Sequence, residues 1–307
     1  MAEYATQYSI KDLEKLTGVK AHTIRMWEKR HGIVVPRRTA TNIRYYDDAQ
    51  LKHLLNVTVM LDAGRRISYI GSLTAEELHN EVKEIFENDD RDSDNLKYSA
   101  RVNGLMVAMF EVDELEFLNI ISASIRDIGF RNTITDVVYP FLEKVGVMWG
   151  INEVNPAQEH FISHLIRRKV EREIDELPVP VESNKKSYLL FLPEDELHEL
   201  GLLLSQYLLR SRGFKTYYLG QNVPYDDMLK VSKQVNTDVL LTFFIRALPV
   251  EEVGGFLKTL CEDHPDKEIY FSGASKIFEG IDLPRNAVML MGLNHLEELL
   301  EEQSRES

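Results

Sequence analysis

Five short apolar runs that alternate with helical stretches dominate the second half of the chain. The runs are SYLLFL (187–192), KTYYLG (215–220), DVLLTFF (238–244), EIYFSG (268–273) and AVMLMG (287–292). Most of the segments between them have helical periodicity, among them LHELGLLLSQYLLRSRG and VEEVGGFLKTLCEDH. Strands that alternate with helices pair in parallel, because a helix must return the chain to the same edge of the sheet. The pattern predicts a doubly wound parallel sheet over residues 185–303, which binds ligands beyond the carboxyl ends of its strands.

The segment before the sheet, residues 92–178, has helical periodicity almost throughout. Apolar residues recur every three or four positions, first as Leu105, Met109, Val112 and Leu115. Pro156 precedes the last periodic run, AQEHFISHLIRRKVEREIDEL, and further prolines follow it, so this run is predicted to be one helix. Four helices joined by short connections are typical of a bundle. The polar stretch ENDDRDSDN (87–95) predicts a linker before it.

The first 75 residues have a separate pattern and a separate charge. Gly18 permits a tight turn between two short helices, whose apolar anchors are Ile10, Leu13, Leu16, Ile24 and Trp27. This is the pattern of a helix-turn-helix. Residues 1–75 hold 12 Lys and Arg against 7 Asp and Glu, a net of +5, whereas the other 232 residues hold 24 against 43, a net of −19. The chain thus has a basic amino-terminal part, residues 1–75, here called the head, and an acidic remainder, here called the body. This distribution favours local binding of a polyanion by the head.

The second helix, about residues 21–29, and the basic segment after it predict the contacts with double-stranded DNA. Arg, Lys, His and Thr side chains reach base edges in the major groove, and Arg and Tyr contact phosphates. The helix region supplies Lys20, His22, Thr23, Arg25 and Lys29, and a basic wing supplies Arg37, Arg38, Arg44 and Tyr45. The alternative is that these arginines form an ordinary solvated face.

The composition excludes several classes of protein. Cys261 is the only cysteine, which excludes a disulfide framework and a cysteine-rich zinc site and fits a reducing compartment. The first residues lack the basic start and apolar run of a signal peptide, and the longest apolar runs are too short to span a bilayer. We therefore expect a cytoplasmic protein that does not bind membranes. No base accompanies Cys261 in a matching pattern, so no catalytic residue and no enzyme activity are predicted.

The motif Glu196-x-His198-x-x-Gly201 follows the first predicted strand of the sheet. A histidine at this edge can present a nitrogen to a ligand or metal, and a nearby carboxylate can orient or compete with it. Gly201 allows the following helix to pack closely. Taken alone, His198 is more simply explained as a solvated loop residue.

A second spacing lies in the helical segment. Trp149 is followed after nine residues by Glu159 and His160, at the start of the last predicted bundle helix. A tryptophan and a Glu–His pair at the mouth of a bundle form an aromatic platform beside polar groups. Taken alone, Trp149 is more simply explained as a core residue.

These motifs resemble known families. The run TIRMWEKRHG, with IRYYDDAQLKHL and LDAGRRISYI after it, makes residues 8–70 similar to the MerR-type winged-helix domain. With W-x9-E-H in a bundle and E-x-H-x-x-G in a Rossmann-like domain, nearly the whole chain resembles the CarH/LitR family of adenosylcobalamin-dependent, light-responsive repressors. We therefore expect a winged-helix DNA-binding domain at 1–75, a helical bundle at 92–178 and a Rossmann-like cobalamin-binding domain at 185–303.

The resemblance implies roles for the motif residues. His198 is implied to be the lower axial ligand of the cobalt in adenosylcobalamin, displacing the cofactor's own base, with Glu196 and Gly201 in the same motif. The upper face is implied to be capped by Trp149, Glu159 and His160. The nucleotide tail is implied to be lined by Val223 in GQNVP and by the loops at Thr242, Ser272 and Gly273. Members of the MerR-type family bind pseudo-palindromic promoter DNA as homodimers, and in the CarH/LitR family the cofactor-bound body forms a homotetramer; the resemblance implies both for this chain.

Three positions depart from the pattern of the family. Gly150 stands where photoreceptor members have a histidine that ligates cobalt after illumination, so that photoproduct is unavailable here. Thr242, followed by two phenylalanines, replaces the serine of S-x-L. Ser272-Gly273 replaces a pair of glycines and so places a side chain where the tail needs its closest approach. Phe243 and Phe244 are equally explained as residues that fill the core.

The sequence thus predicts a DNA-binding transcriptional regulator, a repressor by resemblance, whose oligomeric state responds to adenosylcobalamin. One alternative is a cobalamin-independent regulator on the same scaffold, controlled by a protein partner. A second is a corrinoid carrier protein, which the winged-helix head disfavours. The predicted fold class is multidomain: an α winged helix-turn-helix, a four-helix bundle and an α/β Rossmann-like parallel sheet.

Overall fold

The computed structural model describes residues 7–39, 41–87, 98–150, 156–180, 185–246, 248–273, 275–278 and 280–306. The chain divides into two compact units, Met1–Leu165 and Ile166–Ser307. The predicted winged-helix domain and most of the predicted bundle fall within the first unit. All but the first residue of the linker predicted at 87–95 lies outside the described residues. The three-domain division therefore stays a prediction.

The amino-terminal unit begins with a helix-turn-helix and a two-stranded wing. Its elements are α1 (Ile10–Thr17), α2 (Ala21–His31), β1 (Arg37–Arg38) and β2 (Arg44–Tyr45). Gly18 ends α1 with a φ of 76°, in the left-handed region that favours glycine. Ile24 and Trp27 are buried and anchor α2, and the two strands pair antiparallel. The predicted helix-turn-helix and wing are confirmed as structures, with α2 two residues longer than expected.

The rest of this part of the chain is helical. Its elements are α3 (Asp48–Asp62), α4 (Ile67–Ile70), α5 (Ala75–Glu87), α6 (Tyr98–Glu111), α7 (Glu114–Thr133), a π-helical turn (Ile134–Val138), α8 (Tyr139–Gly150) and α9 (Pro156–Glu176). The four helices from α6 to α9 confirm the helical segment predicted at 92–178. None of the described helices is both long enough and apolar enough to cross a membrane.

A line of hydrogen bonds, one buried and one partly buried, crosses three helices of the amino-terminal unit. Lys144 in α8 donates from Nζ to Oδ1 of Asn103 in α6 over 2.6 Å. The amide nitrogen of Asn103 in turn donates to Oγ1 of Thr58 in α3 over 2.8 Å. Burial lowers the pKa of Lys144 to about 8, against the smaller opposing effect of Asp62. Helix α3, which directly follows the wing, is therefore joined to α6 by a polar contact and, through Asn103, to α8.

One predicted helical face is wrong at its carboxyl-terminal end. The spacing of Leu105, Met109, Val112 and Leu115 predicts one continuous face, but α6 ends at Glu111 and Val112 has a φ of 55°. Asp113 then caps α7, because its carboxylate accepts a hydrogen bond of 3.0 Å from the amide of Glu116. Val112 and Leu115 are consequently exposed. A capping aspartate overrides the apolar spacing at this point.

The carboxyl-terminal unit contains the predicted parallel sheet. Its strands are β3 (Ser187–Pro193), β4 (Lys215–Val223), β5 (Val239–Phe244), β6 (Glu268–Gly273) and β7 (Ala287–Met289). Its helices after α9 are α10 (Leu200–Ser211), α11 (Tyr225–Val235), α12 (Val250–Asp263), the 3-10 turn Ser275–Phe278 and α13 (Leu293–Glu306). The strand order is β4-β3-β5-β6-β7 with every pairing parallel, which confirms the α/β fold class.

Four residues that the resemblance places in loops lie in strands instead: Val223 in β4, Thr242 in β5, and Ser272 and Gly273 in β6. Val223 is the last residue of β4, since the strand continues through GQNV and pairs Val223 with Pro193. Thr242 lies inside β5 and is fully buried, because β5 is a central strand with β3 and β6 on its two sides. The run AVMLMG forms a strand only over its first three residues.

Candidate functional sites

Helix α2 exposes the polar side chains predicted to contact DNA. His22, Arg25 and Lys29 are exposed, whereas Ile24 and Trp27 on the other side of the helix are buried. Thr23 is half-buried, with its hydroxyl 3.3 Å from Nε2 of His22. Lys20, the residue before the helix, forms an ion pair of 3.1 Å with Glu14 of α1. The helix therefore has the exposed donors that groove recognition requires.

The arginines of the wing are held by other residues of the chain. Arg37 pairs with Asp47 over 2.9 Å, and Arg44 pairs with Glu28 over 3.7 Å. Arg38 donates to the side-chain oxygen of Asn42 over 2.8 Å. These contacts fix the wing against α2 and the start of α3 while the arginines remain exposed. Tyr45 at the end of β2 is half-buried.

Arg65 and Arg66 were not predicted as contact residues. Both are exposed in the connection between α3 and α4. The doublet of basic residues directly after Gly64 was the available sequence signal. DNA contact by this doublet or by the predicted residues of α2 and the wing stays a prediction.

A buried carboxylate and a histidine form the centre of the second site. Glu196 is 4% exposed, and its Oε1 lies 2.5 Å from Nδ1 of His198. Its Oε2 accepts hydrogen bonds from the backbone amides of Ile245 and Arg246 over 2.8 and 2.7 Å. The side chain of His198 is 38% exposed. The carboxylate of Glu196 therefore joins the loop after β3 to the loop after β5 and fixes the orientation of the imidazole.

The hydrogen bonds also determine the ionisation of Glu196. Burial alone would raise its pKa, but donors from the His198 ring and from the backbone of Arg246, His198 and Ile245 outweigh that effect. The pKa of Glu196 is lowered to about 2, so the carboxylate is charged at neutral pH. An ionised carboxylate on Nδ1 is the usual partner of a metal-bound histidine, which then binds the metal through Nε2.

A second carboxylate in the same loop was missed by the sequence reasoning. Glu199 is buried, and its Oε1 accepts a hydrogen bond of 2.8 Å from the hydroxyl of Tyr218 in β4. Its Oε2 forms an ion pair of 2.5 Å with Arg167 in α9. His198 thus lies in a loop anchored by a carboxylate on each side. No local signal distinguishes Glu199 in the sequence, because both partners are distant along the chain.

The residues predicted around the nucleotide tail do not share one surface. Leu240 and Phe244 in β5 pack with residues of α12, so Thr242 between them faces the same side of the sheet. Phe271 in β6 belongs to that side as well, and Ser272 therefore faces the other, where its hydroxyl donates to the carbonyl of Leu290 over 2.9 Å. The hydroxyl of Thr242 is buried without a hydrogen-bond partner.

Close packing explains both glycines of the predicted site. A Cβ on Gly201 would lie 3.3 Å from the ring of Phe243, so the glycine lets α10 approach β5, as expected. A Cβ on Gly273 would lie 2.2 Å from the carbonyl oxygen of Phe244, so only glycine fits there. The tail-lining role of Gly273, Ser272, Thr242 and half-buried Val223 stays a prediction.

The Glu–His pair predicted to cap the upper face lies in the first turn of α9. Nδ1 of His160 is 3.0 Å from Oε2 of Glu159, and Ser163 donates to the other carboxylate oxygen over 2.6 Å. His160 is exposed. The side chain of Trp149 lies outside what the structure describes, so its capping role stays a prediction.

Two family models match the chain. Residues 8–77 match the MerR HTH family regulatory protein, and residues 102–172 match the B12 binding domain. The chain is 26% identical over 221 residues to the HTH-type transcriptional repressor CarH of Myxococcus xanthus, covering 72% of this chain and 73% of CarH. It is also 26% identical over 257 residues to the HTH-type transcriptional repressor CarA of that organism, covering 81% and 80%.

Solved structures with similarity to the chain include two corrinoid proteins. A cobalamin-binding protein from Desulfitobacterium hafniense aligns with a TM-score of 0.36 and 14% identity, over 67% of this chain and 98% of that one. The monomethylamine corrinoid protein of Methanosarcina barkeri aligns with a TM-score of 0.36 and 13% identity, over 72% and 96%. From the sequence relatives and the family models, this chain is a homologue of the repressors CarH and CarA that joins a MerR-type helix-turn-helix region to a B12-binding-domain region.

Proposed function

We propose that this protein is a cytoplasmic, DNA-binding transcriptional repressor whose oligomeric state and DNA affinity are controlled by adenosylcobalamin. The observation that carries the proposal is the contact between buried Glu196 and half-buried His198 at the carboxyl edge of a parallel sheet, on a chain that also contains a winged helix. The homologues named as repressors support the DNA-binding part, and the B12 binding domain match supports the cofactor.

The residues around His198 fit a corrinoid. Within the described residues there is no cluster of three or more His, Cys, Asp or Glu side chains that could hold a metal ion. Cobalt in a corrin ring needs only one ligand from the protein, because the ring itself supplies four nitrogens. His198, whose ring is oriented by Glu196, would provide that ligand. The loops at the same sheet edge also expose three apolar side chains, Leu197, Ile245 and Met291, suited to an apolar ring face. When bound, adenosylcobalamin would supply the cobalt ion and a light-sensitive cobalt–carbon bond.

Control of DNA binding follows from the thermodynamics of assembly. A ligand shifts an equilibrium only as far as its affinities for the two states differ. If the cofactor binds the tetramer more tightly than smaller species, several winged helices are held on neighbouring half-sites and gain avidity. Release of the cofactor would then dissociate the tetramer, so that the winged helices bind DNA singly or in pairs and repression weakens.

We propose a binding role without enzyme activity. Cys261 is buried, and that burial raises the pKa of its thiol to about 11, so the thiol is protonated and a poor nucleophile at neutral pH. The winged helix likewise disfavours the alternative of a corrinoid carrier protein, since carriage of a methyl group needs no DNA contact.

The test compares wild-type protein with His198→Ala and, as a matched control, His164→Ala, which changes an exposed histidine of α9. Wild type and the control should bind adenosylcobalamin, shift its absorption spectrum, form larger oligomers and bind promoter DNA more tightly with cofactor. His198→Ala should lose the coupling of a histidine nitrogen to cobalt in the electron paramagnetic resonance spectrum of the reduced cobalt(II) form. Coupling from benzimidazole alone in the wild type would refute the ligand assignment.

Two observations favour the cobalamin-independent alternative. The ring of Phe243 is buried against Gly201, and Ser272 fills space beside β7 with a side chain bonded to Leu290. A regulator with this packing and no corrinoid would depend on a protein partner for control. Under this alternative, adding adenosylcobalamin would change neither the absorption spectrum of the cofactor nor DNA binding.

A further inference from the structure

Phe243 occupies the space next to the loop that carries His198. Its ring atoms Cε1 and Cδ1 lie 3.3 and 3.4 Å from the position that a Cβ on Gly201 would take. Gly201 is the first glycine after His198 and lies in the first turn of α10. Phe243 is 6% exposed, so the space between Gly201 of α10 and the sheet is filled by an aromatic ring.

The neighbouring positions on this side of the sheet are filled as well. Leu190 in β3 and Leu241 in the adjacent strand β5 are directly paired in register, and both are fully buried. Ser272 of β6 is buried and uses its hydroxyl on the carbonyl of Leu290. The layer between α10 and the strands is thus packed with the protein's own side chains.

This packing matters for a corrinoid whose cobalt is held by His198. The base of cobalamin is tethered to the same face of the ring that the histidine would bind. When a protein histidine replaces it, the base must enter the protein beside that histidine. We take the space between Gly201 and β5 as the place that the base enters, because Gly201 lies three residues after His198; an aromatic base and the ring of Phe243 cannot occupy this space together.

We propose that Phe243 is a specificity-determining residue of this site, which selects against the nucleotide base of cobalamin and favours corrinoids that lack it. The inference rests on the proposed corrinoid function. Phe243 must leave its packed position before the base can enter, and this step weakens binding of the complete cofactor. A corrinoid without the base, such as cobinamide, leaves Phe243 in place.

The experiment measures two ligands against matched variants of the full chain. Aquacobalamin and diaquacobinamide are titrated separately and followed by absorbance, and the ratio of their dissociation constants is reported. The variants are Phe243→Val and the milder Phe243→Leu, which keeps more of the core filled. Phe244→Val is the control. Phe244 is also buried, but it lies on the opposite face of the sheet, where its ring packs on Phe256 and Phe278.

We expect wild type to bind cobinamide at least as tightly as cobalamin. Phe243→Val should tighten cobalamin binding at least tenfold and change cobinamide binding less than twofold, and Phe243→Leu should act in the same direction with a smaller effect. Phe244→Val should leave the ratio unchanged. An unchanged ratio in both Phe243 variants overturns the inference but leaves the proposed function intact. Failure of every protein to bind either corrinoid overturns both.

Discussion

Replacing Glu196 with glutamine tests the carboxylate that organises the second site. Its two oxygens accept four hydrogen bonds, from the ring and amide of His198 and from the amides of Ile245 and Arg246. The amide nitrogen of glutamine cannot accept, so one pair of donors loses its acceptor. Two lost bonds to a charged group, each of about 1.5–3 kcal/mol, predict a loss of about 3–6 kcal/mol.

The lowered pKa of Glu196 gives a second measure of what these same hydrogen bonds contribute to the free energy of unfolding. Folding lowers it from the ordinary 4.5 to about 2, which corresponds to about 3 kcal/mol of stabilisation. Because the folded pKa is the lower one, this contribution is fully present above pH 4.5 and is lost as the pH falls towards 2. Both estimates agree on a loss near 3 kcal/mol for Glu196→Gln at pH 7.

Urea denaturation at pH 7, followed by circular dichroism, measures this loss. Glu194→Gln is the matched control, because Glu194 lies in the same loop and is exposed. We expect the control to change the free energy of unfolding by less than about 0.5 kcal/mol. A change of less than about 1 kcal/mol in Glu196→Gln would show that water replaces the lost contacts and would refute the reasoning.

Three further perturbations test other parts of the structure. Arg44→Ala should weaken specific and nonspecific DNA binding equally, and should lower the slope of log binding constant against log salt concentration by about one unit. Arg285→Ala, outside the head, is the control and should leave that slope unchanged. Gly273→Ala should destabilise the protein to urea by about 1–3 kcal/mol, since its Cβ would meet a backbone carbonyl, while Gly255→Ala, in open space on a helix, should be neutral or stabilising. Folding lowers the pKa of Lys144 from 10.5 to about 8, so the unfolded chain binds more protons between those values and stability should rise with pH there by up to about 3 kcal/mol. Urea titrations of Lys144→Met should lack this rise, and an equal rise in the variant would contradict the assignment.

Local patterns predicted the elements of the fold, and tertiary contacts determined what the patterns missed. The strand at 239–244 was expected because a buried parallel strand is a short continuous apolar run, and the turn at Gly18 because few residues adopt its backbone conformation. The helix end at Val112 was missed, since one capping bond at Asp113 outweighs apolar spacing. The partners of Glu196 and Glu199 could not be predicted either, because the sheet topology alone brings Ile245 and Tyr218 to that loop.

The hydrogen bonds from Lys144 through Asn103 to Thr58 limit how the first unit can respond to a stimulus. Apolar helix faces can slide by small steps, but a line of largely buried hydrogen bonds favours one register, because a broken bond leaves Asn103 or Thr58 unsatisfied. The hydrogen bonds therefore couple α8 to α6 and α6 to α3. A displacement of α8 would strain the bond from Lys144 to Asn103 and, through Asn103, the bond to Thr58 in the helix that follows the wing.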